Sequence, residues 1–107
     1  MSLTIRRTAG ARSITLQLRG DLDLATAPDV VEAIDSIADS YGRLVLDLSK
    51  LAFIDSTGVR VLVRSKEELS RHGVQMELSQ VPSHAEKAFW LLRVEGLAPQ
   101  GRHYARL

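Results

Sequence analysis

Apolar and polar residues alternate along the start of the chain, and the period then lengthens. Ile14, Leu16 and Leu18 share one face of Ser13–Arg19, and Leu3–Thr8 alternates more weakly. Period two over such lengths predicts half-buried strands. Ala9-Gly10-Ala11-Arg12 between them predicts a hairpin turn, with Gly10 supplying positive φ. Gly20-Asp21-Leu22-Asp23-Leu24 follows as a short acidic loop. Thr26 is then placed as a helix N-cap, with Pro28 in the first turn and Asp29 three residues on. Ala27, Val30, Val31, Ile34, Ile37 and Ala38 recur at helical spacing, opposite Asp29, Glu32, Asp35 and Ser36. That helix stops before Tyr41-Gly42.

Arg43–Leu48 is an apolar run of strand length and is expected to be buried on both sides. The connection leading to it is long enough for a parallel crossover. After Ser56 a second helix turns Val59, Leu62, Val63 and Leu69 inward, and Arg60, Arg64, Lys66, Glu67, Glu68 and Arg71 outward. Arg71-His72-Gly73 closes it. Val74–Leu78 alternates as a further strand. Ser83 and Glu86 form a capping-box pattern for a third helix. Ala85, Ala88, Phe89 and Leu92 make its inner face, widened by Trp90, Leu91 and Val94. Trp90 is expected to bury its indole only in part. Leu97–Leu107 is left as a short tail.

Strands alternating with helices imply an α/β fold. Its mixed β-sheet opens with an antiparallel strand pair and is covered by α-helices. Residues 1–107 are expected to form one domain, with a core over about 3–97. Loops at the ends of parallel strands share one sheet edge, so Asp21-Leu22-Asp23 should lie beside Asp55-Ser56-Thr57-Gly58. Composition narrows the chemistry. Fourteen basic and 13 acidic residues leave a net charge of +1, too balanced for a nucleic-acid footprint. The chain has no cysteine, so disulfides, thiolate metal sites and thiol nucleophiles are excluded. No apolar run approaches the roughly 20 residues of a membrane span, and the start lacks the apolar core of a signal peptide. A cytoplasmic protein without membrane insertion is expected.

Ser56 stands at a strand-to-helix junction, where free N–H groups and the helix dipole suit an anion. From the residues alone it is either a helix cap or a phosphorylation switch, and the two roles are compatible. Asp21 and Asp23 are either a weak metal pair or, more commonly for loop acids, solvated; no metal or cofactor is expected. A nucleophilic serine needs a base in reach. His72 lies at the far end of the helix that Ser56 begins, roughly 20 Å away or more. Neither a G-x-S-x-G elbow nor a phosphate-binding P-loop occurs. His84 and His103 are given no catalytic role, and no enzyme is expected.

Three features make the chain resemble a STAS domain of the bacterial anti-sigma factor antagonist family. They are Gly20-Asp21-Leu22-Asp23 followed by Thr26-Ala27; Leu44–Leu48 leading through Phe53-Ile54 to Asp55-Ser56-Thr57-Gly58-Val59; and Leu62-Val63 continuing to Gly73-Val74. The resemblance implies a protein that, unphosphorylated, binds an anti-sigma factor serine kinase and frees the sigma factor. It implies phosphorylation of Ser56 as the off-switch, with a PP2C-type phosphatase resetting it. It places Asp23, Asp55, Thr57 and Gly58 beside the phosphosite, with Thr57 as a second hydroxyl. It sets the partner surface at Asp21, Asp23, Thr26, Ser56, Thr57, Val59 and Arg60. Two rivals are a STAS subunit of a lipid or anion transport system and a small-molecule or nucleotide sensor. Self-association as a homodimer is left open.

Overall fold

The computed structural model of the protein describes residues 2–37 and 40–92. Ala38, Val94, His103 and the Leu97–Leu107 tail lie outside the described residues. The element order is β1 (Leu3–Ala9), β2 (Ser13–Leu22), α1 (Ala27–Asp35), β3 (Arg43–Ile54), α2 (Ser56–Arg71), β4 (Gln75–Ser79) and α3 (Ser83–Leu91). The sheet runs β1-β2-β3-β4. β1 pairs antiparallel with β2, while β2–β3 and β3–β4 are parallel. The expected mixed sheet with helical cover is therefore present.

Strand alternation builds the core. Leu16, Leu46 and Leu78 stand side by side on β2, β3 and β4, and Ile14, Leu44 and Met76 form the adjacent row. Helix α2 packs between α1 and α3 on this face, contributing Val59, Leu62 and Leu69. The opposite face carries Thr15, Gln17, Val45, Asp47 and Glu77, all half-buried. β3 is thus buried on one side only, which corrects the expectation of two-sided burial: its alternate positions are polar or half-covered.

The hairpin forms where expected, but Gly10 is not among the positive-φ residues. Its N–H closes the turn onto the Ser13 carbonyl at 2.7 Å. Two other boundaries also differ from expectation. β2 extends to Leu22, so Gly20-Asp21-Leu22 is strand rather than loop. β3 runs six residues past Leu48 because two register shifts against β2 break its period. Gln17 faces Asp47 but Arg19 faces Lys50; Gly20 faces Leu51 but Asp21 faces Phe53. Each shift inserts an extra β3 residue, a bulge, so Leu48, Leu51 and Ile54 are buried at a spacing of three instead of two.

Asp47 secures the first bulge. Its carboxylate accepts the Ser49 N–H at 2.9 Å and the Gln17 side-chain amide at 3.1 Å. Burial pushes this carboxyl up, but the hydrogen bonds from Ser49 and Gln17 and the charge of Lys50 outweigh it and hold the carboxyl below the ordinary aspartate range. A depressed folded-state pKa adds stability above the unfolded pKa of 3.8 that is lost as pH falls through the folded value. Asp47→Asn is therefore expected to lower stability at pH 7, with the gap to wild type closing below about pH 4. Urea unfolding at pH 7 and pH 3 checks this; an equal gap at both would contradict it.

The last helix differs at both ends. Pro82, not Ser83, is its N-cap, and no side chain caps it. The Pro82 carbonyl takes the Ala85 and Glu86 N–H groups that a Ser83 cap would serve, so the helix begins one residue early. Ala85 and Phe89 are buried, whereas Leu91 and Leu92, expected to help cover the core, are exposed at the helix end. Trp90 is partly covered as expected, with its Nε1 buried and unpartnered among the described residues.

Candidate functional site

The ends of β2 and β3 bring the two acidic loops together. Leu22 pairs with Ile54, and the Asp55 N–H donates to the Leu22 carbonyl at 3.2 Å. Asp21, Asp23, Asp55, Ser56 and Thr57 therefore share one sheet edge, as the topology predicted.

Glycine makes the close approach feasible at two points. A Cβ on Gly58 would lie 2.7 Å from the Leu22 carbonyl oxygen and 2.9 Å from the Ile54 side chain. Only a glycine lets the first turn of α2 sit directly against the end of β2. Gly20 has φ +112°, and a Cβ there would meet the Ser2 carbonyl at 2.3 Å. That same carbonyl accepts the Asp21 N–H at 3.0 Å, tying the entry of β1 to the acidic strand end. The glycines of both motifs are thus explained by backbone packing.

Each loop turns on an aspartate. Asp55 is the N-cap of α2, its Oδ1 accepting the Gly58 N–H at 2.9 Å. Asp23 Oδ1 accepts the Ala25 and Thr26 N–H groups at 3.0 and 3.1 Å. Thr26 is the N-cap residue of α1, as expected, but its side chain makes no cap bond. Its hydroxyl instead donates to the Asp21 carbonyl at 2.7 Å and accepts the Asp23 N–H at 3.0 Å, while the Asp29 N–H goes to the Thr26 carbonyl. Asp55→Ala is expected to cost about 0.5–2 kcal/mol, while Asp55→Asn costs a few tenths, about the spread among good capping residues. Thermal unfolding of the two variants checks the order.

The cap alternative for Ser56 is thereby corrected. Ser56 is the first residue inside α2, one position past the cap. Its side chain is exposed and makes no hydrogen bond among the described residues. Thr57 is half-buried, so of the two hydroxyls Ser56 is the more accessible. Arg60 is exposed one turn further along. Three expected site residues do not offer side chains to a partner. Val59 is buried in the core, Gly58 is pressed against Leu22, and Thr26 is buried on its hydrogen bonds to Asp21 and Asp23. Their part is to position the loop.

Sequence reasoning missed the apolar residues around this edge. Leu24 is 74% exposed in the loop after Asp23, and Phe53 is 44% exposed opposite Asp21. Val31, assigned to the inner stripe of α1, is 40% exposed. With Leu24, Pro28 and Val61 it lines an open apolar groove between α1 and α2 that reaches the Asp23 loop. Leu24 had one signal: an apolar side chain between Asp23 and Ala25 that belongs to no buried stripe.

His72 pairs with Glu68 at the opposite end of α2, and His84 is exposed on α3. Among the described residues no three His, Cys, Asp or Glu side chains gather as a metal site, and no helix is long and apolar enough to cross a membrane.

A four-stranded mixed sheet with three helices is the architecture of a known class. The sequence pattern of the STAS domain matches residues 2–99, and the chain belongs to that family. A Mycobacterium tuberculosis protein named anti-sigma-F factor antagonist RsfB is 37% identical over 57 residues, 52% of this chain and 47% of that protein. The chain thus spans about half the length of this curated relative. An anti-sigma factor antagonist from Mycobacterium paratuberculosis has a crystal structure that superposes with a TM-score of 0.72 at 25% identity, covering 94% of this chain and 88% of that one. The anti-sigma factor antagonist SpoIIAA in its unphosphorylated form superposes at 0.71 and 17% identity over 85% of this chain and 80% of that one. SpoIIAA has also been solved phosphorylated, with a TM-score of 0.68; at this identity the likeness is one of fold.

Proposed function

We propose that this STAS domain is an anti-sigma factor antagonist whose unmodified form binds an anti-sigma factor serine kinase and so frees the sigma factor. In this reading the kinase transfers the γ-phosphoryl group of ATP to the Ser56 hydroxyl, which loses its proton, and ADP leaves. The phosphorylated domain releases the kinase, and a PP2C-type phosphatase restores it. The protein acts in the cytoplasm, without catalysing a reaction itself.

The observation that carries this reading is the state of Ser56: exposed, without a hydrogen bond among the described residues, and relieved of capping by Asp55. A serine retained for the fold alone would be expected to cap the helix or pack. The relatives named as anti-sigma factor antagonists add support. The surface assigned to the kinase comprises Asp21, Asp23, Ser56, Thr57 and Arg60, with Leu24 and Phe53 as apolar flanks.

Wild type, Ser56→Ala and Ser56→Asp, used as baits in the source cell, test it. Capture of an ATP-binding serine kinase by wild type and Ser56→Ala, but not by Ser56→Asp, is expected. Equal capture of a transporter by all three baits would point to a transport subunit and sink the proposal.

A further inference from the structure

Arg60 stands four residues after Ser56 on α2 and is exposed. Several arginines on this protein are engaged: Arg7 with Ser36, Arg43 with Glu77, and Arg71 with Glu68. Arg60 makes no ion pair or hydrogen bond among the described residues. Residues four apart lie on one helical face, and an acidic group with a base four positions toward the C-terminus is the favoured orientation. Ser56 is neutral, so this pairing position stays vacant until the serine gains charge.

A phosphate on Ser56 would enter an acidic neighbourhood. Asp55 precedes it, and Asp21 and Asp23 arrive from the end of β2. From α1, Asp35 lines the groove beside Arg64, one turn beyond Arg60. Asp55 Oδ1 and Asp23 Oδ1 are committed to backbone N–H groups, which keeps both carboxylates fixed at this edge. Repulsion from them favours the singly charged phosphate, whose second ionisation ordinarily falls near pH 6. A guanidinium in contact favours the dianion and binds it through parallel hydrogen bonds.

We propose that Arg60 is the built-in counter-ion of phosphorylated Ser56, pairing with the phosphate across one turn of α2 and holding it doubly charged at neutral pH. This rests on Ser56 being the phosphosite. It goes further by making Arg60, in the modified state, part of the switch rather than of the solvated face. The consequence is a fuller charge change: more of the phosphate meets the partner as the dianion, held against the helix.

The test installs phosphoserine at position 56 during synthesis, so it needs no kinase. The phosphorus resonance is followed against pH in the phosphorylated wild type, Arg60→Gln and Arg60→Lys, with circular dichroism to verify that α2 is retained. The second ionisation of the phosphate is expected to rise by about half a unit in Arg60→Gln, roughly a threefold change in proton affinity. Arg60→Lys is expected to restore part of it, and about 1 M salt to shrink the difference. Identical titrations in wild type and Arg60→Gln would overturn the pairing while leaving Ser56 as a phosphosite untouched. Failure to capture a serine kinase would instead remove the functional reading, whatever the titrations show.

Discussion

A phosphate on Ser56 is expected to weaken binding to the serine kinase at least about hundredfold while leaving the fold in place. About 2.7 kcal/mol of lost affinity suffices for that ratio. The modification adds about −1.5 to −2 charge and three acceptor oxygens at a point where a partner had fitted a neutral hydroxyl. Asp23 and Asp55 already make the surrounding surface acidic, so the added charge concentrates on one patch. The fold tolerates it because the first turn of a helix favours negative charge, and because the Ser56 hydroxyl has no hydrogen bond to lose among the described residues. Calorimetric titration of the kinase with both forms measures the ratio, and thermal unfolding of the phosphorylated domain measures the tolerance. Ser56→Ala should bind within a few-fold of the unmodified protein. Ser56→Asp should fall between, since it carries one charge on a shorter arm. A phosphorylated form that binds within threefold of the unmodified one would contradict the account.

Phe89→Ala is expected to be the most damaging single truncation on α3, costing about 3–5 kcal/mol. Phe89 has no exposed surface, and with Ala85 it anchors α3 to β3 and α2. The loss is a large share of the about 5–15 kcal/mol that holds a domain of this size together. Leu91, on the same helix but 61% exposed, is the control, and Leu91→Ala should change stability by less than about 0.5 kcal/mol. Trp90, the only tryptophan, sits between them and reports unfolding in urea by its fluorescence. Equal effects at positions 89 and 91 would mean that α3 is not docked through Phe89.

The strands and helices were legible because Ile14, Leu16, Leu18 and the α2 stripe follow unbroken periods. The juxtaposition of the two acidic loops was legible too, since parallel topology alone places them at one edge. What the pattern hid has physical causes. The bulges of β3 add residues that break period two, so the strand beyond Leu48 had no alternation to read. Local signatures placed Thr26 at the α1 cap correctly but misjudged the side-chain bonds of both capping patterns, and put the α3 cap one residue late. Thr26 with Asp29 and Ser83 with Glu86 match the capping-box pattern, but the Thr26 hydroxyl turns back to the Asp21 carbonyl and the Asp23 N–H, and the Pro82 carbonyl holds the Ala85 and Glu86 N–H groups that Ser83 would serve. The same competition decided Ser56. With Asp55 one residue upstream and bonded to Gly58, the serine is displaced into the first turn and left unoccupied. Leu24, Val31 and Phe53 were misjudged or passed over because exposure of an apolar side chain depends on what packs beside it, and no local period encodes that.

The most direct test of the account is to incubate the protein with the captured kinase and ATP and to locate the phosphate by tandem mass spectrometry. One phosphate, on Ser56, is expected, and none on Ser56→Ala under the same conditions. Phosphate on Thr57 or elsewhere with Ser56 unmodified, or no phosphate at all on a protein that binds the kinase, would contradict it.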